Sequence, residues 1–201
     1  MEIITPEDFN LAEIVERLKQ GAVIVYPTET VYGLGCDATN QEAVNKIFAI
    51  KQRQKNKPVL VVVPSVGMAM EYVEWSNKLE ELAHKYWPGP LTIVVKVKAD
   101  NLLAAGVVAE DKTLAFRVTD YPLAVELSQD LGRPLVSTSA NISSQESTYD
   151  VTDIVAMFEN SEIKPDIVLD VEILPHRSPS TVIKVKGDKV EVLRQGSVVV
   201  V

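Results

Sequence analysis

Short apolar runs alternating with amphipathic stretches constrain this chain more than any other feature. AVIVY (22–26), VLVVV (59–63), LTIVVKV (91–97), TLAFRV (113–118) and PLVST (134–138) are too short for ordinary helices and rich in β-branched residues. They read as strands, the unbroken runs being buried on both faces. Helical stretches lie between them. TPEDFNLAEIVERLKQG has Thr5 as N-cap, Pro6 in its first turn and Gly21 at C′. TNQEAVNKIFAIK opens with Thr39 and Glu42 spaced as a capping box. Residues 65–86 read as two helical pieces stopped by WPGP (87–90). PLAVELSQDLG ends at Gly132, and DVTDIVAMF (150–158) is a further helix. DIVLD then precedes TVIKVKGDKVEVLR, a hairpin turning at Gly187-Asp188. This order predicts an α/β fold with a mixed sheet. NISSQESTYD (141–150) is the expected mobile loop, and the terminal VVVV is expected as an edge strand or loose end.

The 201 residues suit one domain, 1–201, and 46% apolar residues supply a sizeable core. No run approaches the 18 apolar residues of a membrane span, and the acidic start MEIITPEDFN does not read as a signal peptide. A lone cysteine, Cys36, excludes an internal disulfide framework, and together these signs favour the cytoplasm. A net charge of −8 argues against broad, non-specific nucleic-acid binding. One Cys with His84 and His176 cannot build a Cys/His zinc cluster. No protein metal site is expected, and any Mg²⁺ is expected to arrive with a nucleotide.

Against that acidic background KQRQKNKP (51–58) stands out, with basic residues at 51, 53, 55 and 57 and no acidic one. A solvated helix end explains Lys51 and Arg53 through the helix dipole. An extended segment would instead place all four cations on one face, a row suited to polyphosphate. The motif alone leaves both readings open. GLGCDA (33–38) fits a dinucleotide fingerprint but is not in a tight strand-to-helix turn, and no acidic residue ends the next strand. GVVAEDKT (106–113) carries Asp111 where a P-loop needs glycine. Ser137 and Ser139 have no histidine in a comparable loop except His176, so no nucleophilic triad is assembled. His84 reads as a structural histidine and Cys36 as packing. PLVSTSANIS (134–143) and YPTETVYGLG (26–35) each carry hydroxyls just past a strand, where open α/β sheets collect ligands.

YPTETVYGLG, KQR, YWPGPLT, FRVTDYP, PLVSTSAN, PST and LRQG occur in the order seen in the YrdC-domain family. Over roughly residues 10–196 the chain resembles the family's short bacterial TsaC-type members, without the C-terminal extension of longer ones. The resemblance implies a twisted mixed sheet flanked by helices, with a concave basic cavity. It implies an enzyme that makes L-threonylcarbamoyl-adenylate from L-threonine, bicarbonate or CO₂, and ATP, releasing pyrophosphate. A downstream transferase complex would then modify tRNA, with little or no tRNA binding by this chain itself. By the same resemblance Lys51, Arg53, Lys57, Thr113, Ser139, Asn141 and Arg194 would hold ATP, with Lys51 and Arg53 serving catalysis. Thr30, Arg117, Ser137 and Ser180 would surround L-threonine. Longer members carry a histidine in the strand after the basic stretch, at about the place of Val62. The alternatives are a non-catalytic RNA-binding module of this fold or a carbamoyl-transfer domain.

Overall fold

The structure, a computed structural model, describes residues 1–54, 56–171 and 173–200. Along the first half run β1 (Glu2–Ile4), α1 (Leu11–Lys19), β2 (Ile24–Tyr26), β3 (Gly33–Gly35), α2 (Gln41–Ile50), β4 (Val61–Val63), α3 (Val66–Tyr72) and α4 (Asn77–Tyr86). The second half holds β5 (Leu91–Lys96), β6 (Thr113–Val118), α5 (Pro122–Leu131), β7 (Leu135–Val136), β8 (Thr138–Ser139), α6 (Val151–Glu159), β9 (Ile167–Leu169), β10 (Thr181–Lys186) and β11 (Lys189–Arg194).

The expected mixed sheet is two mixed sheets. One has the order β1-β9-β2-β3-β8, the other β11-β10-β5-β6-β4-β7. In the first, β1, β9 and β2 run parallel while β3 and β8 are antiparallel. In the second, parallel pairs β10·β5 and β4·β6 alternate with antiparallel ones. The PLVST strand joins the sheets. Its Leu135–Val136 half pairs with β4, and its Thr138–Ser139 half pairs with β3. Ser137 sits at the crossing and donates its N–H to the Leu60 carbonyl at 2.9 Å.

Two apolar clusters hold this frame. The larger packs α2, α4 and α6 against the sheets through Val44, Ile47, Leu79, Ile154, Phe116 and Phe158. The smaller lies under α1 and α5, where Ile14, Leu18, Leu127 and Leu131 cover Ile24, Tyr26, Val62 and Leu135. Each such fully buried side chain contributes about 1.5–3 kcal/mol. Val62 is therefore core, a β4 residue in the cluster under α1 and α5.

Helix starts differ from the sequence reading. Helix α1 is capped by Asn10, whose Oδ1 accepts the Glu13 N–H, while Thr5 bonds the Glu7 and Asp8 carboxylates. Helix α2 is capped by Asn40, because Asp37 accepts both the N–H and the hydroxyl of Thr39. The C-terminal signals hold: Gly132 caps α5 with φ of 69°, a left-handed conformation that favours glycine. The glycines of GLGCDA have a packing cause. A Cβ on Gly35 would lie 2.6 Å from the Tyr26 ring and 2.8 Å from the Val136 carbonyl oxygen. The hairpin β10–β11 forms as read. Residues 197–200 form no strand; Val198 bonds the Thr181 hydroxyl through both its N–H and its carbonyl.

Candidate active site

A cavity of about 490 Å³ opens where the two sheets meet. Thr28, Thr30, Val31 and Gly33 line it from one sheet; Thr92, Ala115, Arg117, Ser180, Val182 and Arg194 line it from the other. Ser137, Thr138 and Ser139 of the crossing strand join the two walls. Four arginines, Arg53, Arg117, Arg177 and Arg194, line it, and among the described residues no carboxylate does. In a chain of net charge −8 these are four basic side chains gathered at one cleft.

A smaller pocket of about 330 Å³ adjoins it and shares Arg53 and Ser139. Its remaining lining is Lys51, Gln52, Gln54, Lys57, Asn141, Ser143 and Ser144, so it is polar throughout. The basic stretch reaches this pocket without forming an extended row. Lys51 is the C-cap of α2, and Gln52 turns the chain with φ of 49°. Lys55 lies outside the described residues, and Lys57 is exposed at the pocket edge.

Lys51 is 2% exposed. Its ammonium donates to the Ser139 carbonyl, and at 2.8 Å to both the carbonyl and Oδ1 of Asn141. The Ser139 hydroxyl donates to the same Oδ1 at 2.7 Å, and Asn141 Nδ2 donates to the Gln145 carbonyl at 2.6 Å. The end of α2 therefore shapes the turn after β8. Burial, and then the neighbouring Arg53, lowers the Lys51 pKa to about 7. Three oxygen acceptors match the three protons of the charged form and oppose that fall. Arg53 turns back on its own loop, donating Nε to the Lys57 carbonyl at 2.7 Å and Nη2 to the Pro58 carbonyl at 3.0 Å.

The opposite end of the cleft is built around Arg117, which is 3% exposed. Its Nη2 lies 2.9 Å from Glu29 Oε1, and Thr119 donates to Glu29 Oε2 at 3.2 Å. The ion pair is close but poorly directed: neither Glu29 Oε1 nor Arg117 Nε has a hydrogen-bond partner among the described residues. Thr30 shares a 3.1 Å contact with the Thr28 hydroxyl. Ser180 lies 2.9 Å from Thr92 Oγ1, and Arg194 Nη2 grips the Ser180 carbonyl at 2.7 Å and its hydroxyl at 3.1 Å. Burial, then Arg117, lowers the Arg194 pKa.

Eleven residues were expected at the site, and ten line these two cavities. Thr113 lines neither; it opens β6 and donates to Asp111 Oδ1 at 2.6 Å. The residues sequence reasoning passed over are Thr28, Thr92, Ser143, Tyr149 and Arg177. Tyr149 stacks on His176 with ring centroids 3.8 Å apart and joins the 141–150 loop to the segment carrying Arg177. His84 is exposed on α4, 3.0 Å from Glu80, and Cys36 is buried in the larger core. Among the described residues no group of three or more His, Cys, Asp and Glu side chains could hold a metal ion. No helix among them is long and apolar enough to cross a membrane.

Comparison with known proteins gives a consistent set. The family model Sua5/YciO/YrdC, described as "Telomere recombination", matches residues 16–196. A threonylcarbamoyl-AMP synthase of Vibrio vulnificus is 35% identical over 190 residues, covering 93% of this chain and 98% of that protein. A protein of the same name from Aliivibrio fischeri is 33% identical, over 93% of this chain and 99% of its own length. Among solved structures, P. abyssi Sua5 complexed with L-threonine superposes with a TM-score of 0.84 at 29% identity over 98% of this chain. The chain spans 58% of that protein's length. E. coli YciO superposes at 0.81 with 27% identity, over 97% of this chain and 94% of its own.

Proposed function

The chain belongs to the Sua5/YciO/YrdC family, and from that premise we propose that it is a threonylcarbamoyl-AMP synthase. Its substrates are L-threonine, bicarbonate or CO₂, and ATP, with Mg²⁺ entering on the nucleotide. The amine of threonine captures CO₂, losing a proton and becoming a carbamate. A carbamate oxygen then forms a bond to the α-phosphorus of ATP. The bond from that phosphorus to the bridging oxygen breaks, and pyrophosphate leaves with the electron pair. The product is L-threonylcarbamoyl-adenylate, which a separate transferase complex consumes in N⁶-threonylcarbamoyladenosine modification of tRNA. The acidic chain itself binds tRNA weakly or not at all, and the reaction belongs in the cytoplasm.

One observation supports this reading: a cleft lined by four arginines and, among the described residues, no carboxylate, with an adjoining polar pocket that shares Arg53. Three anionic groups meet in the reaction, namely a carboxylate, a carbamate and a polyphosphate. Arg117 suits the threonine carboxylate, because its buried Nε still needs an acceptor. Thr30, Ser137 and Ser180 stand around that end of the cleft. Arg53 and Lys57, with Lys51 holding the Ser139–Asn141 turn, suit the phosphates. Arg194 closes the nucleotide side. No covalent nucleophile is required; positioning and fixed positive charge supply the rate enhancement.

The test is pyrophosphate release from ATP by the purified chain. Release is expected only when L-threonine and bicarbonate are both present, with L-threonylcarbamoyl-adenylate identified by mass spectrometry. Release that ignores either one overturns the assignment.

A further inference from the structure

Three unusual features converge on the smaller pocket beside Arg53. First, the Ser143 Oγ is shielded from water and has no hydrogen-bond partner among the described residues. Leaving a hydroxyl buried and unpaired is costly, so such a group calls for an explanation. Second, Gln52 and Ser144 line the same pocket with φ of 49° and 74°. They are two of the three non-glycine residues with left-handed φ among the described residues; the third is Lys112, with φ of 60°. Strained backbone of this kind persists where surrounding contacts over-determine it, and it gathers at binding sites. Third, the Ser143 N–H donates to the Lys51 carbonyl at 2.8 Å, so the strained turns are tied to each other through the backbone.

The pocket's chemistry narrows its ligand. Lys51, Arg53 and Lys57 bring positive charge, Ser139, Ser143 and Ser144 bring hydroxyls, and among the described residues no acidic side chain lines it. A small anion rich in acceptor oxygens fits such a lining.

Resting on the adenylate-forming reading above, we propose that Ser143 positions the departing pyrophosphate, its hydroxyl donating to a phosphate oxygen once the group enters this pocket. A serine hydroxyl can turn between staggered χ1 wells to meet an acceptor that enters the pocket. Among the described residues this hydroxyl has no partner, and binding would supply one. The backbone tie to Lys51 does not involve this hydroxyl, so replacing the side chain leaves the turn's scaffold intact.

The experiment is calorimetric titration of the full chain with inorganic pyrophosphate, for the wild type, Ser143→Ala and Ser143→Thr, beside thermal unfolding of each ligand-free protein. Ser143→Ala is expected to bind pyrophosphate about tenfold more weakly, the order expected for one lost hydrogen bond to a charged group. It is also expected to unfold at a temperature no lower than the wild type, because the substitution removes an unpaired buried group. Ser143→Thr keeps the hydroxyl and should stay within about threefold of wild type, the bond to the anion being retained. A Ser143→Ala protein that binds pyrophosphate as the wild type does, or that loses stability, overturns the proposal and leaves the proposed reaction standing. A wild-type protein that does not bind pyrophosphate overturns this subsite and the phosphate half of the proposed function together.

Discussion

Arg117 and Glu29 stand 2.9 Å apart with side chains only 4% and 7% exposed, yet Arg117 Nε has no partner among the described residues. The pair holds the guanidinium in place while one donor remains for a ligand. Arg117→Lys keeps the charge but loses the planar fork. It is expected to raise the KM for L-threonine about 10- to 100-fold, as the loss of charged hydrogen bonds would. The KM for ATP should stay nearly unchanged. Steady-state kinetics with each substrate varied separately provide the check, and equal losses for both would argue against this role.

Glu29 makes a structural prediction of its own. Glu29→Ala leaves a buried guanidinium uncompensated, a change that costs about 3–5 kcal/mol in comparable pairs. Urea unfolding should show a lowered midpoint with an unchanged slope. A loss below about 1 kcal/mol, the range of exposed pairs, would mean that Arg117 finds water or another partner.

Much of the fold is legible in the sequence because its signals are local. The Gly132 stop and the β10–β11 turn rest on dihedral preferences of single residues, and both appear in place. Strand β1 was not legible: Glu2–Ile4 is extended because it pairs in parallel with Ile167–Leu169, more than 160 positions away in sequence. Nor was β3, whose glycines carry no strand preference and serve to clear the Tyr26 ring. The division into two sheets depends on Ser137 changing partners within one apolar run, which periodicity does not record. The ordered motifs single out residues that the fold brings to two adjoining cavities, but not the bonds among them. Lys51 points at carbonyls of its own chain, a non-local contact that a basic stretch seen in isolation cannot announce.

Arg53 joins the two cavities, and its guanidinium already holds the carbonyls of Lys57 and Pro58. Arg53→Ala should lower kcat/KM by about 100-fold, the size of one lost electrostatic donor at a reacting group. It should lower stability by only about 1–2 kcal/mol, because Arg53 is not fully buried. A variant with wild-type turnover would sink the assignment.

Lys51 predicts a proton linkage. Its pKa falls from 10.5 to about 7 in the folded protein. Between those values the unfolded chain holds the proton and the folded chain does not. Stability therefore rises with pH across that window through this group. A polyphosphate beside Lys51 favours the ammonium and restores the proton. Binding of ATP or pyrophosphate at about pH 8.5 should take up close to one proton, read by titration calorimetry in two buffers of different ionisation enthalpy. Lys51→Gln should abolish the uptake. Binding of equal enthalpy in both buffers by the wild type would contradict this linkage.

Arg194 tests whether the hairpin belongs to the nucleotide side. Its guanidinium grips Ser180, whose hydroxyl is 2.9 Å from Thr92 Oγ1, so the end of β11 is fastened to the cavity wall. The 141–150 loop reaches the same cavity through Ser147 and Tyr149. A nucleotide spanning the cleft would touch both regions at once, whereas threonine near Arg117 would touch neither loop directly. ATP is therefore expected to slow amide hydrogen exchange in the 141–150 loop and around Arg194 together, with L-threonine alone slowing them less. Arg194→Ala should uncouple the two, with ATP protecting the loop and no longer the end of β11. Protection of the loop in the wild type with no change near Arg194 would remove Arg194 from the nucleotide site, and its hold on Ser180 would then serve the hairpin alone.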